Sequence, residues 1–88
     1  MGELSKLPNI GKTLEGQLSQ IGILTEEDLR SSGAEQTWLK IQAIDESACM
    51  NRLLALEGAI QGIKKTLLSE ERKRELKAFY TEHRLKKR

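Results

Sequence analysis

An all-α fold, a compact domain of five helices, is what the sequence predicts, and three observations predict it. Leu, Glu, Lys, Gln, Ala and Arg, which lose little side-chain freedom in a helix, fill the long segments, and the single proline lies near the start. Aromatic residues make up 3% of the chain, one each of Trp, Tyr and Phe, so the core has to be assembled from Leu, Ile and Ala packed between helices. Apolar residues recur at spacings of three and four, the period of a helix face. Eighty-eight residues provide for one modest core and no second one, so residues 1–88 are read as a single domain without a linker.

Each element follows from its own residues. Leu7, Ile10, Leu14, Leu18 and Ile21 share one face, and Gly22 stands where a left-handed cap would end a helix, which predicts a first helix from about Lys12 to Ile21. Thr25 is a good N-cap with Asp28 three residues on, and Leu24 and Leu29 occupy the positions of a hydrophobic staple; a short second helix follows, closed near Gly33. Ala34, Trp38 and Ile41, with Ile44 extending the face, predict a third helix, and Asp45 to Ser47 supplies the next candidate caps. From Ala48 to Ile63 two stripes run together. One is Cys49, Leu53, Leu56, Ile60 and Ile63, and the other is Ala55, Gly58, Ala59 and Gly62. Two contact faces predict a central helix, and glycine inside a helix costs roughly 1 kcal/mol relative to alanine, so Gly58 and Gly62 predict a close backbone approach. Ser69 caps the last helix, with Glu70 and Glu71 in its first turn, Lys86, Lys87 and Arg88 at its end, and Leu76, Phe79, Tyr80 and His83 on its apolar face.

The net charge of +2 hides an asymmetry. Residues 1 to 63 carry five basic and nine acidic groups, whereas residues 64 to 88 carry ten basic and four acidic, a basic arm on a mildly acidic body. Cys49 has no partner for an internal disulfide, no leader opens the chain and no long apolar run interrupts it, so the expected compartment is the cytoplasm, with no membrane involvement.

Leu7-Pro8-Asn9-Ile10-Gly11, followed by a helix carrying Leu14 and Leu18 and then Ile21-Gly22-Ile23, resembles a helix-hairpin-helix element. In that motif backbone amides at a helix N-terminus seat a phosphate. The candidate hairpin residues are Asn9, Ile10, Gly11 and Lys12. Asn9 replaces the first hairpin glycine; it tolerates a left-handed backbone but adds a side chain able to shield the amides. Lys6 and Lys12 flank the hairpin, while Glu15, Glu26, Glu27 and Asp28 follow closely and repel a phosphate backbone, so the hairpin is read first as structural.

The wider pattern, from the hairpin through Thr25-Glu26-Glu27-Asp28-Leu29, Gly33-Ala34, Trp38 and Asn51 to the run Leu53-Leu54-Ala55-Leu56-Glu57-Gly58-Ala59-Ile60-Gln61-Gly62, resembles the TfoX C-terminal domain family over nearly the whole chain. The resemblance implies a five-helix fold of helix-hairpin-helix or SAM-like type, found in bacterial regulators of competence and DNA transformation. Full-length members also carry a separate N-terminal domain, which a chain running from Met1 into the hairpin is expected to lack. Lys64-Lys65 departs from the family, where an aromatic is expected.

Glu57 lies between Leu53 and Ile60 on an apolar stripe, at about 100° of rotation per residue. Buried unpaired, it would cost several kcal/mol or take up a proton, so it is expected to be a structural polar anchor partnered by a basic group or by backbone amides, with the hairpin amides as candidates. One His, one Cys and scattered carboxylates make no metal cluster, and no phosphate loop or nucleophile elbow is present. The expectation is a protein that is not an enzyme, with no cofactor, no metal and no small-molecule substrate. Cys49, Trp38 and His83 are read as packing residues.

Lys73, Lys77, Arg84 and Arg88 fall within about 60° of one another on the last helix, a basic ridge that is either a solvated face or a set of phosphate contacts. The leading reading is a non-catalytic binding module whose partner is another protein, with a second copy through the last helix as one form of it. The alternative is a sequence-independent, salt-sensitive DNA-binding module using the hairpin and the ridge.

Overall fold

The computed structural model describes residues 4–84, and all of the regular structure in them is helical. A 3-10 turn over Leu4–Lys6 leads into α1 (Lys12–Gln20), α2 (Glu26–Ser32), α3 (Ala34–Ile44), α4 (Met50–Gln61), a second 3-10 turn (Lys65–Leu67) and α5 (Glu70–His83). The five α-helices match the predicted elements in order. The cationic run Lys86 to Arg88 lies outside the described residues.

Local chemistry explains the boundaries. At the end of α1 the Ile23 N–H donates to the Leu18 carbonyl (2.8 Å) and the Gly22 N–H to that of Ser19 (3.1 Å), with Gly22 at φ 89°, a closure that satisfies carbonyls the helix leaves over. Thr25 and Asp28 form a reciprocal capping box: the Asp28 N–H donates to Thr25 Oγ1 (3.0 Å) and the Thr25 N–H to Asp28 Oδ2 (3.3 Å). Ser69 caps α5, its hydroxyl accepting from the Arg72 N–H (3.1 Å).

α4 forms the centre of the assembly, packed against α3, α5 and, less extensively, α2. Leu18, Leu29, Trp38, Ile41, Leu53, Leu56 and Leu76 are fully buried, each worth about 1.5–3 kcal/mol of transfer free energy. Trp38 meets Tyr80 and Phe79 edge-on, with ring centroids 5.5 and 6.2 Å away, while its indole N–H donates to the Cys49 carbonyl (3.2 Å).

Five expectations need correcting. Cys49 is exposed, because the helix begins after it and it serves as the N-cap residue of α4. Ile44 is 48% exposed at the end of α3 and does not extend the buried face, and Leu24, expected to staple onto Leu29, is 59% exposed. Asp45 to Ser47 does not cap α4; Asp45 terminates α3. Of the two glycines read as a close-approach stripe, only Gly58 is one. A methyl group on it would meet the Ile63 carbonyl at 2.8 Å and the Lys65 nitrogen at 3.1 Å, whereas Gly62 is the left-handed cap of α4 (φ 77°) with open space around it. Gly62 and Ile63 donate back to Ala59 (3.2 Å) and Gly58 (2.9 Å), repeating the closure seen at Gly22.

Candidate functional site

The hairpin sits where chain start and chain middle meet. Ile10 is buried, Gly11 and Lys12 are exposed, and Gly11 is the N-cap of α1 without a side-chain cap hydrogen bond. Asn9 adopts the left-handed conformation anticipated for it, φ 71°, the only non-glycine among the described residues with positive φ. Its side chain does not shield the hairpin amides. It turns the other way, with Nδ2 donating to the Ile63 carbonyl (3.0 Å) and Oδ1 accepting from the Lys65 N–H (3.1 Å). This two-point contact lets a side-chain amide complete the backbone bonding of the segment that leaves α4, and the bare Gly58 makes room for it. The partners stand 54 and 56 residues away in sequence, so no local signal points to them.

Glu57 is buried, at 8% exposure, and its partners are side chains. Arg72 of α5 donates to it at 2.8 Å and Gln61 Nε2 at 2.6 Å, so the basic-group expectation holds and the hairpin amides play no part. Burial pushes the Glu57 carboxyl up, but the hydrogen bonds from Arg72 and Gln61 and the Arg72 charge outweigh it, leaving the group below the ordinary carboxylate range. The same guanidinium reaches Glu35 of α3 (2.9 Å) and Glu75 of α5 (3.1 Å), so one side chain joins three helices. A second hub went unrecognised in the sequence. Asp45 accepts from the Ser47 hydroxyl (2.6 Å) and N–H (2.9 Å), from Gln17 Nε2 (2.7 Å) and from Arg52 (3.0 Å), which holds its carboxyl far below the usual range and ties α1 and α4 to the end of α3.

The predicted ridge divides. Lys73 is drawn back toward the second 3-10 turn, its Nζ donating to the Thr66 carbonyl (3.4 Å) and pairing with Glu70 (3.7 Å). Lys77 is exposed beside Arg74, Ala78, Thr81 and Glu82, Arg84 is exposed just past the end of α5, and Arg88 lies outside the described residues. His83 is exposed and stacks on Phe79 (4.1 Å). Among the described residues no His, Cys, Asp and Glu group is arranged to hold a metal, and no helix is long and apolar enough to cross a membrane. A groove of about 600 Å³ opens between Leu4, Lys12, Gly16, Ile23 and Leu24.

A loop before α1 pinned by Asn9 to the segment that leaves the central helix, and bordered by an open groove, belongs to a small all-helical module. The chain belongs to the TfoX C-terminal domain family, whose profile matches residues 1–80. It is 37% identical over 73 residues to Protein Sxy of Escherichia coli (strain K12), covering 83% of this chain and 35% of that protein, so it spans about a third of that relative's length. Two crystal structures of proteins from Listeria monocytogenes share the fold: an uncharacterized protein in a triclinic form (TM-score 0.89, 48% identity, 90% of each chain) and a protein of unknown function in a tetragonal form (TM-score 0.86, 47% identity, 89% of this chain and 96% of the other).

Proposed function

We propose that this chain is a non-catalytic binding module of a cytoplasmic competence-type regulator and that it works by contact with another protein. The observation that carries this reading is Leu24: 59% exposed, it borders the groove whose floor includes the buried Leu4 and Ile23, and exposed apolar surface next to a concavity is what a protein partner covers. Family membership supports the regulatory class. A photo-crosslinking amino acid at Leu24 in cells should yield protein adducts, while the same group at Thr81, on the outer face of α5, should yield fewer. Adducts at Thr81 alone, between copies of this chain, would move the interface to α5 and make the partner a second copy.

A second reading, sequence-independent contact with DNA, is favoured by the charge of the last third. Lys64, Arg74, Lys77 and Arg84 are exposed and form no ion pair among the described residues. Fluorescence anisotropy of a labelled duplex checks it: binding at low salt that collapses as salt rises is the expected result, and no binding at low salt removes it.

A further inference from the structure

Asn9 joins two stretches of backbone distant in sequence, and both are basic. Through its bonds to Ile63 and Lys65 it holds Lys64 and Lys65 beside the hairpin that carries Lys6 and Lys12. Lys6 and Lys12 each lie three residues from Asn9, and a chain advances at most about 3.6 Å per residue, so their Cα atoms are within about 11 Å of that of Asn9. Lys73 arrives at the same place from α5, its Nζ on the carbonyl of Thr66, the residue after Lys65. Lys6, Lys12 and Lys64 are exposed, Lys65 and Lys73 half-buried, and the first four form no ion pair among the described residues.

Several of the carboxylates are engaged, while the exposed Glu27 and Glu71 form no ion pair among the described residues. Glu57, next to Gly58 beneath the clamp, is neutralised by Arg72, Glu70 pairs with Lys73, Glu26 pairs with Arg30, and the half-buried Glu15 has an interaction of its own. The expected repulsion of phosphate by the acidic body is therefore weaker at this face than the sequence implies.

We infer that Lys6, Lys12, Lys64 and Lys65 form one composite face that seats the phosphate backbone of duplex DNA, with Lys73, paired to Glu70, at its edge. This rests on the DNA reading above and relocates its site from the α5 ridge to the clamped loops. Duplex is favoured over single strands because Trp38 is fully buried, with Tyr80 and Phe79 packed against it, so the tryptophan offers no platform on which bases could stack. Backbone recognition of this kind reads charge without sequence.

The test is anisotropy of a short fluorescein-labelled duplex with the full chain over a salt series, comparing K6Q/K12Q, K64Q/K65Q and R74Q/K77Q/R84Q, each checked for folding by circular dichroism. Each loop pair should weaken binding at least tenfold at low salt and flatten the log K against log salt slope by about 2, at about 0.9 for each phosphate no longer neutralised. The α5 triple should change affinity by less than about threefold despite removing more charge. Abolished binding in the α5 triple with both loop pairs near wild type overturns the composite face and leaves the DNA reading standing. Failure of the unmodified chain to bind at low salt overturns both.

Discussion

At the scale of single residues, two polar side chains hold long-range structure. Asn9 replaces backbone partners for Ile63 and Lys65, so Asn9→Ala removes two hydrogen bonds and leaves a partly buried carbonyl and N–H to find others. Thermal denaturation should show a loss of about 1–2 kcal/mol, while Asn9→Gly, although suited to φ 71°, should lose nearly as much because the side-chain hydrogen bonds go with it. Arg72 is the other case. Its folded-state partner Glu57 has a lowered carboxyl pKa, so the pair contributes stability that is present above the unfolded carboxyl value of about 4.3 and is lost as pH falls through the folded value. Arg72→Met leaves Glu57 buried with Gln61 alone. The expected result in pH-dependent melts is a loss of about 2–3 kcal/mol at neutral pH that shrinks as pH falls and the buried Glu57 takes up a proton, with Glu57→Met in the same chain restoring much of the loss. Unchanged acid behaviour in Arg72→Met would show that the pair does not govern it.

Whole elements depend on their ends and on the central helix, α4. Gly58→Ala gains helix propensity, about 1 kcal/mol, but places a methyl 2.8 Å from the Ile63 carbonyl and against the Asn9 amide. Differential scanning calorimetry should therefore show a net loss of about 1–3 kcal/mol, with Gly62→Ala costing about 1–2 kcal/mol by a separate route, the left-handed φ of 77°. The sequence makes the elements legible because capping signals are local. Gly22, Thr25 with Asp28, Gly33 and Ser69 each announce a boundary within a few residues. It leaves obscure what periodicity cannot settle. Cys49 and Ile44 fit an apolar stripe by spacing, yet each stands at a helix end, where the stripe has run past the body that would cover it. Glu57 shows the same division: its need for a partner is readable from its place on an apolar stripe, but the identity of Arg72, on another helix, is not. The hairpin is visible as a motif, while its partner loop is fixed only by tertiary packing.

For the molecule as a whole, a radius of gyration of 12.1 Å matches the value of about 12 Å expected of a globular domain this long. Trp38 of α3 is fully buried, packs against Tyr80 and Phe79 of α5 and is bonded to Cys49 at the start of α4. Tryptophan fluorescence and far-ultraviolet circular dichroism should thus report one coincident unfolding transition, and an earlier fluorescence change would mean that α5 undocks by itself. The Asn9 clamp also imposes an order of events. Its two halves are made more than fifty residues apart, so a growing chain leaving the ribosome has synthesised α1, α2, α3 and α4 before the hairpin meets the segment that completes it. Closing so long a loop is slow to be rewarded, so the clamp should form on the late, native side of the folding barrier. In kinetic terms, disrupting it should leave the refolding rate nearly as it is and quicken unfolding: the clamp sets how long the folded domain persists more than how soon it forms.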